Sequence, residues 1–386
     1  MNIVFLGSVT DEKKNQELSG ASVAGNKMQL NIIEHLNMQD EISVSVISVP
    51  SVAAFPIDKR IAYKEKKYVL ENGCAIVEVP FLNIPLLKQL MQMISVYRMA
   101  RKYGKDDTVF LAFNLYPQVG SALSRLKNKG YKTAAILADL PINDNYANQS
   151  KLIQIMNHMT EKYIAAENQL IVLNENAIRK YNPCANYIVM EGGCEEFNEG
   201  VTDLLPNEKN IVFCGRLIEY NGIIELLGAM KYVKDSNIKL DIYGSGPLKN
   251  IVEDFARNDS RIRFHGSVDN KLMMEIQKRA WLLINPRPIN DPISQVTFPS
   301  KMFEYLISGT PVLTTKLIGF TEEYDKLMYY CVSDKAEGIA ESINNIALMP
   351  QQELKEKAII TRKYILMNKN WKNQARRISE FLEEME

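Results

Sequence analysis

Net charge is the first thing this chain lacks. Its 386 residues carry 46 basic and 46 acidic side chains, so no bulk field draws it to nucleic acid. Histidine is scarce: three residues leave no histidine-rich site, and no carboxylate set for proton abstraction accompanies them. Cysteines are few and odd in number. Cys74, Cys184, Cys194, Cys214 and Cys331 are scattered without zinc or redox spacing, which fits reduced core thiols in a cytosolic protein. No apolar run reaches the ~18 residues of a membrane span. Asp11 and the lysines after the first strand predict no signal peptide. Repeats and low-complexity tracts are absent, and no G-x-G-x-x-G loop supports nicotinamide binding. The triplet Asn148-Gln149-Ser150 fits a glycosylation sequon, a match common by chance.

What is present reads as an ordinary soluble protein, 46% apolar and 24% charged, long enough for two domains. Asn2 to Leu6 is a buried strand ending at Gly7. A polar loop, Ser8 to Asn26, precedes an amphipathic helix over Met28 to Leu36, the opening of a Rossmann-like unit. Ile42 to Val49 is a second strand, and residues 55–67 are basic with Phe55, Ile61 and Tyr63 interleaved. Pro85 to Lys105 reads as one long helix with Leu86, Leu87, Leu90, Met93, Ile94 and Tyr97 on one face. Arg98, Arg101, Lys102 and Lys105 at its end either complement the helix dipole or meet an anionic lipid or lipid-phosphate substrate. Strands at 108–112, 133–138, 170–173 and 187–190 each end in polar or glycine residues. Among these ends, Asp139 before Pro141 binds an acceptor hydroxyl, acts electrostatically, or caps the next segment.

Asp203 to Lys209 reads as a linker, after which strand and helix alternate again. Ile211 to Cys214 leads into Gly215, Arg216 and the Gly222 helix start, where glycine permits close approach and free amides face a ligand. Lys239 to Ile242 ends in Gly244 and Gly246. Ile262 to His265 ends at Gly266; a lone histidine there is more often structural, though its backbone can meet a base. Gln351 to Glu386 is helical, with an apolar face of Trp371, Ala375, Ile378, Phe381 and Leu382.

The chain is organised around Asn285-Pro286-Arg287 and the run from Phe298 to Leu313. It reads as strand end, loop, short helix with Ser300 as N-cap, Gly309 at the helix stop, and a strand from Val312. Lys301 and Glu304 share a helix face at the carboxyl end of a strand, where open α/β sheets bind ligands. The cation suits phosphate and the carboxylate suits a cis-diol such as ribose. The plainer reading is a surface ion pair worth at most ~0.5 kcal/mol.

Gly215-Arg216-Leu217 with Asn221-Gly222, Tyr243-Gly244-Ser245-Gly246-Pro247, Phe264-His265-Gly266, and Phe298-Pro299-Ser300-Lys301 through Glu304-Tyr305 to Ser308-Gly309-Thr310-Pro311-Val312 resemble the nucleotide-sugar half of family-4 glycosyltransferases. The amino half resembles them more loosely, through Ala21 to Asn26 and Asp139-Leu140-Pro141. Those enzymes have the GT-B fold and retain anomeric configuration, and the whole is similar to bacterial enzymes of exopolysaccharide or capsule synthesis. The resemblance implies an α/β chain of two Rossmann-like domains facing a cleft. These would be residues 1–203, joined by a C-terminal helix at about 362–386 crossing back, and residues 204–361. Arg216 and Lys301 would hold the donor diphosphate, with Asp139 as the third catalytic residue. Gly215, Gly244, Gly246, His265, Arg287, Glu304, Ser308, Gly309, Thr310, Pro311 and Val312 would line the donor. Ser22, Gly25, Asn26 and Lys27 would face the acceptor, a glycan or lipid-linked intermediate. A UDP-sugar would be co-substrate, with no metal and no other cofactor. The protein would be cytoplasmic or peripheral at the inner membrane face, in contact with anionic membrane.

Two positions depart from the family pattern. Many members carry glutamates eight positions apart, but here Val296 precedes Glu304. Many carry lysine before the helix glycine; here it is Asn221, so by the resemblance Arg216 would share the diphosphate with Lys301, and Arg287 is a further candidate. A nucleotide-sugar 2-epimerase of the same architecture and a non-catalytic subunit of a glycan-assembly complex remain as alternatives.

Overall fold

The structure is a computed structural model and describes residues 1–11, 22–70, 73–141, 150–195 and 208–385. The chain divides into two compact units, residues 1–192 with 371–386, and residues 193–370. The expected boundary at 203/204, the linker around it, the sequon's Asn148 and the Ala21 end of the amino-half motif lie outside the described residues.

Unit 1 is a Rossmann-like α/β unit. Its strands are β1 (Asn2–Gly7), β2 (Ser43–Ser48), β3 (Ala62–Tyr63), β4 (Lys66–Val69), β5 (Ala75–Glu78), β6 (Phe81–Leu82), β7 (Thr108–Phe113), β8 (Lys132–Leu137), β9 (Gln169–Val172) and β10 (Asn186–Val189). Eight of them form one sheet in the order β10-β9-β8-β7-β1-β2-β5-β4, and β3 pairs with β6 apart from it. Ladders in the main sheet are parallel except at β4–β5. Parallel strands covered on both faces read as unbroken apolar runs, and β7 is buried along its whole length. The helices are α1 (Val23–Asn37), α2 (Leu87–Ala100), α3 (Pro117–Lys127), α4 (Lys151–Ala166) and α5 (Glu175–Tyr181).

Helix α1 begins at Val23, five residues before the expected Met28, because Ser22 caps it by accepting from Gly25 N–H at 3.1 Å. Its first turns bury polar rather than apolar side chains. Asn26 clamps Thr10 through both backbone groups, and Gln29 accepts from Ser8 N–H. Apolar periodicity therefore starts late and hides the helix start. The long helix expected over 85–105 is trimmed to α2.

Unit 2 is a six-stranded parallel sheet in the order β13-β12-β11-β14-β15-β16. Its strands are β11 (Asn210–Cys214), β12 (Lys239–Tyr243), β13 (Ile262–Gly266), β14 (Leu282–Asn285), β15 (Val312–Thr314) and β16 (Tyr329–Tyr330). Its helices are α6 (Ile223–Ala229), α7 (Lys249–Asn258), α8 (Asn270–Arg279), α9 (Pro292–Val296), α10 (Lys301–Ile307), α11 (Ala336–Ala347) and α12 (Gln351–Asn368). Strand order reverses between β11 and β14, and in open α/β sheets such a switch point opens a ligand crevice beyond the strand ends.

The terminal helical stretch is two helices. α12 ends at Asn368, and α13 (Trp371–Glu383) packs on unit 1, placing Trp371, Ile378 and Phe381 in the core beneath β1 and α1. Among the described residues, no helix is long and apolar enough to cross a membrane.

Candidate functional site: the β11–β14 switch point

The ladder between β11 and β14 stops at Val212↔Leu283. Beyond it, Gly215 N–H turns to Tyr243 O of β12 at 3.0 Å, which leaves the Cys214 amide and carbonyl facing the gap toward β14. Tyr305 of α10 fills that gap. Its hydroxyl accepts from Cys214 N–H at 2.9 Å and lies 3.3 Å from Cys214 O, within donating distance. Tyr305 is fully buried, so α10 is pinned to the end of β11 by a side chain that the sequence reading passed over.

One turn earlier on α10, Lys301 lies over the same strand end. Its ammonium donates to Cys214 O at 3.4 Å and sits 4.5 Å from the centre of the Phe213 ring. It forms no ion pair among the described residues. Burial pulls the ammonium down from the ordinary lysine range to about 7, and the neighbouring Arg287 cation pushes it the same way. A Cβ at Gly215 would lie 3.6 Å from Lys301 Nζ and 3.9 Å from Asn221 Nδ2. Gly215 is therefore the point on which these groups converge.

Arg287 follows β14. Its Nε donates to Asn221 Oδ1 at 3.2 Å, and its guanidinium lies 5.4 Å from the centre of the Tyr220 ring. Burial lowers its pKa. Asn221 also donates to Arg216 O at 2.8 Å, so one buried amide ties the backbone after β11 to the cation after β14. Gly222 has φ +73°, and a Cβ there would stand 1.8 Å from Pro286 O. Only glycine lets these two loops close on each other. Arg216 itself is exposed and makes no side-chain bond among the described residues. The site thus holds three cations: Lys301 and Arg287 desolvated, Arg216 in solvent.

The other expected donor residues fall into two groups. Glu304 is half-buried in the first turn of α10. Ser300 sits at the helix start in helical backbone and makes no side-chain cap; Met302 N–H bonds to Pro299 O instead. Gly309 takes φ +81° at the helix stop, as expected. Around it, Ser308 Oγ donates to Tyr305 O, Thr310 Oγ1 to Gln277 O, and Pro311 O accepts from Leu283 N–H. Val312 is buried in β15. These bonds tie the turn after α10 to α8 and to β14. Val296, where a glutamate is common in the family, is buried in α9.

Gly244 and Gly246 answer to neighbouring backbone: a Cβ would lie 1.9 Å from Gly215 O and 2.4 Å from Leu217 O respectively. His265 stacks on Tyr243 with ring centres 4.5 Å apart, and its Nε2 lies 2.7 Å from Asp241 Oδ1. Burial works against the Asp241 carboxylate, but hydrogen bonds from Arg263, His265 and Asn210 outweigh it and hold its pKa below the usual range.

In unit 1, Asp139 follows β8. Its carboxylate accepts from Asn114 Nδ2 at 3.2 Å and from the Tyr116 hydroxyl at 3.5 Å. Asn114, at φ +58° after β7, accepts with Oδ1 from the Ala138 and Asp139 amides. The residue is exposed, yet crowding around its carboxyl raises the pKa, a desolvation effect that the two hydrogen bonds only partly offset. Of the expected acceptor-side residues, Ser22 and Gly25 form the α1 cap, the Asn26 amide is spent on Thr10, and Lys27 is exposed on α1.

With this geometry in place, comparison adds a family. Residues 208–348, the segment that carries Gly215 through Val312, match the family described as Glycosyl transferases group 1. Solved structures share the whole fold. The Thermosynechococcus elongatus sucrose-phosphate synthase is 14% identical with a TM-score of 0.70, covering 100% of this chain and 99% of that one. The E. coli trehalose-6-phosphate structure bound with UDP-2-fluoro glucose is 11% identical at TM-score 0.71, covering 100% of both chains. Anabaena HepE in complex with UDP is 15% identical at TM-score 0.65, again with 100% of both covered. No curated protein sequence matches the chain. The fold is therefore the two-unit GT-B architecture, and the match to the group 1 glycosyl transferase family lies within its second unit.

Proposed function

We propose that this chain is a retaining glycosyltransferase that moves a sugar from a nucleotide-diphosphate sugar to an acceptor hydroxyl. The observation that carries this reading is the convergence of Lys301 and Arg287 at the β11–β14 switch point, with Arg216 next in the chain after Gly215. A departing nucleoside diphosphate needs positive charge where its own charge develops, and fixed cations in a desolvated site supply it without reorganisation. Lys301 and Arg287 repel each other when the site is empty; a diphosphate would turn that repulsion into attraction and hold Lys301 charged. Glu304 binds the ribose hydroxyls. No metal is required in this scheme, since the cations do the neutralising. UDP is the favoured nucleotide, supported by relatives of the same fold bound with UDP or a UDP-sugar analogue.

Asp139 serves the acceptor side. The acceptor is a lipid-linked or growing polysaccharide intermediate, of the exopolysaccharide or capsule type, met by a protein in peripheral contact with an anionic membrane.

Calorimetry of the purified chain with UDP and with inorganic pyrophosphate tests the donor assignment. Both ligands should bind, and Glu304→Gln should weaken UDP while leaving pyrophosphate unchanged; equal weakening of both would remove Glu304 from the ribose. Transfer to a glycan acceptor library with UDP-sugars tests the reaction. UDP binding without transfer or donor hydrolysis would make the chain a non-catalytic subunit, and conversion of free UDP-sugar without acceptor would make it an epimerase.

A further inference from the structure

One body on unit 1 carries apolar side chains outward. The β3–β6 ladder pairs Ala62 with Leu82 and Tyr63 with Phe81. It continues through Asn83 N–H donating to Ile61 O at 2.7 Å and Phe55 N–H donating to Asn83 O at 3.0 Å. The buried Asn83 amide donates to Ala53 O and Arg60 O, and Lys88 of α2 donates to Val52 O. Residues 52–63 are thereby fixed to the start of α2, close enough that the Lys88 charge helps hold the Asp58 carboxyl below its ordinary range, after hydrogen bonds from Tyr63 and Arg60. On this body Ile57 is 79% exposed, Leu86 67%, Ile61 53% and Leu90 52%.

Two further features set it apart from scattered surface leucines. Leu86, at the start of α2, has φ +69° and ψ −46° with no side-chain cap, a backbone state that a branched residue rarely takes. Strain of this kind persists where the surroundings impose it, and it concentrates at functional positions. Beside the apolar side chains stand Lys59, Arg60 and Lys64, all exposed. Residues 55–67 hold five basic side chains against two acidic ones. Of those two, Asp58 already accepts from Arg60 N–H and the Tyr63 hydroxyl, and Glu65 pairs with Lys67.

The composition selects the occupant. A second copy docking through the same patch would set this basic rim against itself, because a two-fold interface is self-complementary. Apolar side chains amid lysine and arginine suit the boundary between headgroups and acyl chains, where anionic lipids attract each cation. We propose that Ile57, Ile61, Leu86 and Leu90 insert into an anionic lipid surface while Lys59, Arg60 and Lys64 meet the headgroup phosphates. This gives the peripheral membrane contact in the functional reading a location, and it differs from the basic end of α2 at Arg98, 12 residues and ~18 Å along the helix from Leu86.

Leu90→Trp in the full chain reports insertion, because the native Trp281 and Trp371 are only 2% and 6% exposed. Its emission should shift to the blue with phosphatidylcholine vesicles containing phosphatidylglycerol and stay unshifted with phosphatidylcholine alone. In cosedimentation, Lys59→Glu with Arg60→Glu should weaken vesicle binding more than about tenfold. Leu86→Ser should weaken it also, and Arg98→Glu should weaken it less than either, with circular dichroism confirming the fold of each variant. Absent vesicle binding by the native chain overturns the proposal. So does equal binding to neutral vesicles, or a concentration-dependent dimer that Leu86→Ser dissolves, which would install a second copy instead. UDP binding by calorimetry in the same samples reports on the donor site separately, so failure of one reading leaves the other standing.

Discussion

The strand ends of unit 2 and unit 1 each hold a desolvated charge without a counter-ion among the described residues, and they treat it in opposite ways. After β11, the Lys301 ammonium is desolvated over Phe213 with a second cation close by, and its pKa falls to about 7. After β8, the Asp139 carboxyl is crowded by Asn114 and Tyr116, and its pKa rises. The buried Asp241 carboxylate shows what pairing does. Asp241 is bridged by Arg263 at 2.7 and 2.8 Å and stays ionised below the usual carboxylate range. Paired burial builds structure here, whereas a desolvated group without a counter-ion is a candidate for meeting a ligand's charge or proton. Lys301 lacks an anion, which the proposed diphosphate would supply. Asp139 sits among neutral donors, which suits a group that holds or accepts an acceptor proton.

The sharpest way to break this comparison is Lys301→Met. It should abolish UDP-sugar affinity and lower transfer on the order of a hundredfold or more, while stabilising the empty protein at neutral pH, because a buried cation is removed. A destabilised, still active variant would show that Lys301 is a structural cation. Arg216→Ala should lower transfer by a similar factor, ~3 kcal/mol in the transition state, with an unchanged melting temperature, since the side chain is exposed and makes no bond. Near-normal turnover would take Arg216 out of the site.

A smaller effect separates the two strand ends. Asp139→Ala should cut transfer but leave UDP affinity nearly as it was; a large loss of UDP affinity would move Asp139 to the donor. Last comes pH. The folded pKa of Lys301 lies below its ordinary 10.5, so the folded state binds fewer protons than the unfolded state between about 7 and 10.5. The instability due to Lys301 is therefore full below that window and fades as pH rises through it. The stability gap between Lys301→Met and the native chain should shrink by about 1 kcal/mol per pH unit across the window. Nucleotide-sugar affinity should move the other way and fall above pH ~7, as protonating Lys301 becomes costlier. Flat profiles in both denaturation and calorimetry would remove the special standing of Lys301.

Much of this molecule is legible in the residue order, because strand ends, glycine turns and short helices are local events. The unbroken apolar runs announced buried strands, and Phe298 to Leu313 announced loop, helix, glycine stop and strand. Lys301, Glu304, Arg216 and Arg287 stood out as strand-end charges. Other parts were hidden for reasons that can be named. The start of α1 is masked by buried Asn26 and Gln29, whose partners lie across the loop. Asn221 reads as a lost lysine, and only folding shows it holding Arg287 and the Arg216 backbone together. Tyr305 drew no reading of its own in the residue order, and only the early end of the β11–β14 ladder makes its hydroxyl the plug for Cys214.

The residue order by itself determined which side chains stand at strand ends and which loops can turn tightly, since those depend on neighbours a few positions away. Tertiary structure decided which ends meet. Gly215 and Lys301 are 86 positions apart, and a parallel sheet sets such pairs together only through its strand order. By making β11 and β14 neighbours, that order brings the cations together and strips Lys301 of water, and desolvation is what moves its pKa.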